Sequence, residues 1–137
     1  MVKALSIKPD WMEEFIAGRK TIECRTWKTN YRGPICLCTT NKKIRGTIPG
    51  YALLVGDLVN IQPFQRKHLK SAAMTQMPDI KSYAWIFEKI GFIKPVPVKG
   101  KLSLWETDFE PQDIPDNIPD SEIPNMLNAI TYGLDQQ

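Results

Sequence analysis

The chain has one histidine, three cysteines, no lysine or arginine after residue 101, and no apolar run near the roughly 18 residues that a membrane-spanning helix needs. The last of these argues against a transmembrane helix. The opening Met1-Val2-Lys3-Ala4-Leu5-Ser6-Ile7-Lys8-Pro9 also lacks the continuous apolar core of a secretion signal. No membrane association and a cytoplasmic location are therefore expected. An odd set of cysteines, at 24, 36 and 38, offers no complete disulfide framework, and free thiols suit a reducing compartment. Cys36-Leu37-Cys38 with the lone His68 falls short of the four ligands of a closed zinc site, so no metal and no cofactor are expected. The cysteines read instead as small buried residues on a strand, and His68 as a surface or packing residue of a basic helix.

What is present fits one globular domain: 137 residues, 42% hydrophobic and 24% charged, with four tryptophans. The net charge of +3 conceals a division. Residues 1–101 hold all 18 lysines and arginines and only seven acids, a formal +11, whereas residues 102–137 hold eight acids and no base. A basic body attracts polyanions, nucleic acid first among them, and an attached acidic segment can compete for the same surface. Ordinary solubilising charge folded back on itself is the other reading of this distribution.

Lys3 to Lys8 alternates apolar and polar residues and predicts a first strand. Asp10 and Glu13 have the form of a capping box, and the pairs Trp11/Phe15 and Met12/Ile16 precede Gly18, so a helix is predicted over 10–17. Thr21–Trp27, Pro34–Thr40, Tyr51–Ile61, Tyr83–Ile93 (broken at Gly91) and Val98–Glu106 are strand-like, and Pro63–Met74 has helical character. Strands that outnumber helices and follow closely on one another predict an α+β fold, a small mixed β-barrel of five to six strands with two or three short helices. Beyond Trp105 the composition changes to Ile114-Pro115-Asp116, Ile118-Pro119-Asp120 and Ile123-Pro124. Proline at this spacing blocks regular structure, which divides the chain into a domain over 1–106 and an acidic Pro-rich arm over 107–137, with a short helix near Asn125–Tyr132.

The segment Gly18-Arg19-Lys20-Thr21-Ile22-Glu23-Cys24-Arg25 sets four long polar side chains at a helix-to-strand junction. With period 2, Thr21, Glu23, Arg25 and Trp27 share one strand face and Ile22, Cys24 and Thr26 the other. The apolar set can enter the core while Glu23 and Arg25, with Lys20 just before them, line a cleft. These residues resemble the Gly-x-Lys-x-x-Glu-x-Arg signature of the ASCH domain, a branch of the PUA-like barrels, matched here by Gly18, Lys20, Glu23 and Arg25. Further blocks in order strengthen the resemblance: Ser6-Ile7-Lys8-Pro9-x-Trp11, Thr26-Trp27-Lys28-Thr29-x-Tyr31-Arg32-Gly33-Pro34, Tyr83-Ala84-Trp85, and Lys94-Pro95-x-Pro97-x-Lys99-Gly100. It covers about residues 3–106 and implies a PUA-like barrel whose signature cleft binds RNA or a nucleotide, with a modified base among the candidates.

Some members of that family are small enzymes, so the resemblance also implies an alternative: an N4-acylcytidine amidohydrolase or a ribonuclease with Lys20 and Glu23 as catalytic groups. The amidohydrolase branch pairs its Lys with a Thr three residues later and a Glu from the second helical region. Here the Thr position is Glu23, and Pro63–Met74 contains no acid. The binding reading asks for less. Lys8, Lys20, Thr21, Glu23, Arg25, Trp27, Tyr31 and Arg32 combine cations with aromatic faces, the composition that neutralises phosphate and stacks bases. A third reading makes the protein an adaptor whose acidic arm docks a basic protein partner.

Overall fold

A computed structural model describes residues 2–114 and Leu127. In chain order it has β1 (Lys3–Ile7), α1 (Pro9–Ile16), β2 (Ile22–Arg25), β3 (Gly33–Thr39), β4 (Tyr51–Pro63), β5 (Tyr83–Pro97) and β6 (Trp105–Glu106), with a short 3-10 turn at Arg66–His68. The six strands form one mixed sheet in the order β2-β5-β4-β3-β1-β6. Only β1 and β3 run parallel, Lys3 opposite Ile35 through Ile7 opposite Thr39. No helix among the described residues is long and apolar enough to cross a membrane.

Period 2 builds two cores on this sheet. Leu5, Ile7, Ile35, Leu37, Leu54 and Leu58 face α1 and join Met12, Phe15, Trp85 and Phe87 in the main cluster. The alternate residues Ala4, Cys36, Cys38, Ala52 and Ile93 form a second cluster on the opposite face. Cys36 and Cys38 are thus buried strand residues, and Cys24, Cys36 and Cys38 are all free thiols. Burying β3 on both faces restricts it to small or branched apolar side chains.

Several local expectations change. Pro9, at the first position of α1, sets the helix start, and no side chain caps it, so Asp10 is a first-turn residue rather than the cap. The helix ends as expected at Gly18, whose φ of +78° permits a Schellman closure. Gly18 N–H donates to the Phe15 carbonyl and Arg19 N–H to that of Glu14, each at 3.0 Å. Of Pro63–Met74 only the 3-10 turn is helical, because Gln65 and His68 cap each other there: the His68 Nδ1 accepts from Gln65 N–H at 2.9 Å. His68 is a buried packing residue beside the Phe64 ring. Strand β5 runs unbroken through Gly91; its irregularity lies at Lys89, with φ of 52°. Val98–Leu104 is loop, and only Trp105 and Glu106 pair with β1.

The sheet is open, which corrects the expectation of a closed β-barrel. Its ladder stops at β2 on one side and β6 on the other. Strand β1 pairs with β3 along its length and with β6 only at Lys3 and Ala4, and no backbone ladder joins β2 to the rest of its edge. A side chain crosses the gap instead: Arg25 Nη2 donates to the Ser6 carbonyl at 2.6 Å.

The chain just after β6 is tied to the sheet. Thr107 is fully buried, its N–H donates to the Val2 carbonyl at 2.9 Å, and Lys94 N–H donates to the Gln112 carbonyl at 2.8 Å. Asp113 bridges to Ile93, and Leu127 is helical and buried in the main core cluster. The remainder of the expected helix at 125–132, with Ile118 and Ile123, lies outside the described residues.

Candidate functional site

The Schellman closure at Gly18 turns the chain so that Lys20, two residues after it, enters the protein rather than solvent. Lys20 is 1% exposed. Its ammonium donates to the Ala72 carbonyl at 2.8 Å, lies 3.3 Å from Glu23 Oε1, and sits 4.8 Å from the centre of the Trp11 ring. Burial pushes the Lys20 ammonium below the ordinary lysine value, and the Glu23 carboxylate opposes that shift. Burying a cation is tolerable here because a carboxylate, a carbonyl and an aromatic face replace the water it loses.

Glu23 is shared between two cations. Its Oε1 faces Lys20, while Oε2 accepts from Arg25 Nε at 3.2 Å and Nη2 at 2.9 Å. With Nη2 also bonded to Ser6, the Arg25 guanidinium is fixed along one edge. Its Nη1 has no partner among the described residues, and the side chain remains a quarter exposed. The result is a pre-oriented pair of donors on the cleft wall.

That wall belongs to a cleft of about 520 Å³ lined by Lys8, Trp11, Lys20, Glu23, Arg25 and Trp27, together with Ser6, Cys24, Thr26, Thr40, Met74, Lys101, Leu102 and Ser103. The alternation of β2 explains part of the convergence: Glu23 and Arg25 point to the cleft and Ile22 packs with Phe64, Ala72 and Ala84 in a third cluster, although Cys24 and Thr26, of the opposite parity, also reach the cleft wall. Trp27 is held by Trp85, which is fully buried. The two rings meet edge to face at 4.7 Å, and Trp85 Nε1 donates to the Trp27 carbonyl at 3.0 Å. One flank of Trp27 therefore rests on protein while the residue lines the cleft.

Lys8, Lys20, Glu23, Arg25 and Trp27 are thus brought together, and Thr21, Tyr31 and Arg32 are not. Thr21 lines a second hollow of about 460 Å³, whose walls include Phe15, Phe87 and Phe92. The Tyr31 hydroxyl donates to the Pro34 carbonyl at 2.7 Å, and Arg32 Nη1 bonds the Thr29 and Tyr31 carbonyls. Both residues brace the turn into β3. Sequence reasoning missed Thr40, Met74, Lys101, Leu102 and Ser103. The Lys99-Gly100 end of the last matching block marked the start of that rim, but treating Val98–Glu106 as a strand hid it.

The family model for the ASCH domain matches residues 5–114. The chain is similar to the crystal structure of ASCH from Zymomonas mobilis, with a TM-score of 0.62, 14% identity, and coverage of 77% of this chain and 87% of that one. It is also similar to a mutant ZmASCH protein from the same organism, with a TM-score of 0.54, 15% identity, and coverage of 77% and 90%. At these identities the likeness speaks to the fold alone. No curated protein matches the chain.

Proposed function

The chain belongs to the ASCH domain family, and from that premise we propose that it binds RNA or a nucleotide in the cleft between α1, β2 and the loop before β6. The observation that carries the reading is the Arg25 guanidinium on the cleft wall, fixed by Glu23 and Ser6, with its Nη1 donors unengaged among the described residues. Two N–H donors on one nitrogen, held in a fixed direction by the rest of the guanidinium, suit phosphate oxygens or an acceptor on a base edge. Trp27 offers a ring for base stacking, and Lys8 and Lys101 at the rim add positive charge. Lys20 and Glu23 act behind Arg25, holding it in place rather than reaching the ligand.

In this reading the open sheet is a PUA-like framework, residues 107–137 are an acidic arm serving it, and the free thiols suit the cytoplasm. The test is calorimetric titration of the protein with nucleoside monophosphates and short single-stranded RNA. Saturable binding that Arg25→Gln weakens, with the fold intact by circular dichroism, is expected. Binding unchanged by Arg25→Gln would overturn the assignment of the cleft.

A further inference from the structure

Ser6, Thr40, Lys101 and Leu102 line both the 520 Å³ cleft and a neighbouring hollow of about 270 Å³ that continues to Asn41 and Gly100. Four shared wall residues make these two compartments contiguous. Leu102, on the boundary between them, is 93% exposed, a fuller exposure than those of Val59 at 42% and Ile80 at 64%. An exposed leucine alone is ordinary on a protein surface, but this one lines both compartments, so a ligand that occupied the two would have to pass its side chain.

The loop that presents Leu102 is anchored at both ends. Val98 N–H donates to the Gly50 carbonyl at 2.9 Å. Ser6 Oγ donates to the Lys101 carbonyl at 3.4 Å and accepts from Trp105 Nε1 at 3.2 Å. A Cβ at residue 100 would lie 2.5 Å from Ser6 Oγ, so the backbone approaches β1 this closely only because the residue is Gly100. Ser103, directly after Leu102, has a φ of 60°, a conformation uncommon for a non-glycine residue. The rim is therefore a fixed turn that holds its leucine outward.

The second compartment opens toward basic chain. No acid occurs between Glu23 and Asp57, while Arg25, Lys28, Arg32, Lys42, Lys43 and Arg45 fall in that interval. Lys42, Lys43 and Arg45 follow Asn41 and are all exposed. None of the three lines the cleft, and a polyanion leaving the second hollow past Asn41 would run toward them.

We propose that the ligand is single-stranded nucleic acid of at least two nucleotides, with one base in the cleft beside Trp27, its neighbour in the smaller hollow, and Leu102 wedged between them. Lys101, which lines both compartments, is placed at the phosphate joining the two, and the strand continues over the Lys42–Arg45 loop. Single strands suit such a track because their bases can be splayed apart and separated by an apolar side chain, whereas a duplex presents them already stacked and paired. The proposal rests on the reading of the cleft as a nucleotide site and adds length, strandedness and a wedge.

The experiment titrates the full-length protein with a nucleoside 5′-monophosphate, the corresponding dinucleotide, a single-stranded octamer and its duplex, at low and high salt. The dinucleotide is expected to bind at least roughly tenfold more tightly than the monophosphate, as one further base contact allows. Leu102→Ser should erase most of that gain at both salt concentrations while leaving thermal stability unchanged. Equal affinity for monophosphate and dinucleotide, a gain indifferent to Leu102→Ser, or a duplex that binds as well as the single strand would each overturn the proposal while leaving the cleft assignment standing. Failure of every probe to bind would overturn both.

Discussion

The Lys20 ammonium donates a 2.8 Å hydrogen bond to the carbonyl oxygen of Ala72, 52 positions further along the chain. That bond fastens the start of β2 to the turn after β4. The Thr21 and Ile22 amides strengthen it by donating to the Ser71 carbonyl at 2.8 and 3.0 Å. Ala73, next in the chain, has a φ of 56°, so the backbone beside the accepting carbonyl is held in a conformation that costs alanine energy. Lys20, Glu23 and Arg25 are thus a buried support for one exposed edge, the Arg25 Nη1.

Lys20→Met should therefore act first on stability. It leaves the Ala72 carbonyl unpaired and half of the Glu23 carboxylate without its cation, a change expected to cost about 3 kcal/mol because removing one partner strands the other. Urea unfolding would measure it. The double variant Lys20→Met/Glu23→Gln should recover part of the loss, since it removes the stranded charge as well. A Lys20→Met protein as stable as the parent would show that the buried network contributes nothing to the fold.

Arg25→Lys separates support from recognition. A lysine keeps the charge beside Glu23 but cannot bond Glu23 and Ser6 while still presenting two further donors. Ligand affinity is expected to fall by about 1 to 3 kcal/mol, the range for a lost charge-assisted hydrogen bond. Stability should fall less, because Glu23 keeps a cation nearby and the site is partly solvated. Titration calorimetry checks the first effect and thermal melting the second; equal affinity for both proteins would rule out a role for the Nη1 donors.

The parity of β2 and the stop at Gly18 were legible because both are local: alternation over 22–25 puts Glu23 and Arg25 on the cleft side and Ile22 in the core, and one glycine decides where the helix ends. The burial of Lys20 was not legible, since its acceptor is a backbone carbonyl brought close only by the folded sheet. For the same reason the open edge escaped notice. Whether β2 meets the free edge of β1 is decided by how the whole sheet curves, which no local pattern in either strand records. Leu102 falls inside the strand-like span Val98–Glu106 because local composition does not distinguish an exposed loop leucine from a strand residue.

The pH response should centre on His68. Its Nδ1 must stay unprotonated to accept from Gln65 N–H, and burial, aided by the Lys67 charge, pushes its pKa below the ordinary imidazole value. A group whose folded pKa is depressed stabilises the fold fully above its unfolded value and loses that contribution as pH falls through the folded value. The stability gap between the parent and His68→Leu is expected to be widest above roughly pH 6.5 and to shrink as pH falls below it. Chemical unfolding of both proteins across the acidic range checks this; a gap independent of pH would contradict the capping role of the imidazole.

Deacylation of N4-acetylcytidine is expected to be slow or absent. The Thr21 hydroxyl belongs to the other hollow, Glu23 is committed to two cations, and Lys20 is enclosed by Ala72, Glu23 and Trp11. A nucleophile needs both a base and a path to the substrate; Lys20 and Glu23 line the cleft but are held by protein partners, and the Thr21 hydroxyl is not among its walls. Release of cytidine on the order of 1 per second or faster, abolished by Lys20→Ala, would overturn the expectation and favour the hydrolase alternative.

The arm sets electrostatics against packing, and the two can be separated. Deleting residues 115–137 removes Asp116, Asp120, Glu122 and Asp135 and no base, which raises the formal net charge from +3 to +7. If these acids compete with RNA for the basic body, the shortened protein should bind single-stranded RNA more tightly and lose affinity more steeply as salt rises, because more counterions are released. The same deletion removes Leu127 from the main core, where it is 9% exposed, at an expected cost of about 1.5 to 3 kcal/mol in stability. Leu127→Ser in the full chain keeps every acid and loses the packing. It should therefore melt lower while binding RNA as the parent does. A protein carrying Asn at 116, 120 and 135 and Gln at 122 keeps Leu127 and loses the charge, so it should bind more tightly without melting lower. Should that neutralised protein bind RNA no better than the parent, the arm does not shield the basic body, and its acids are left to a partner of opposite charge.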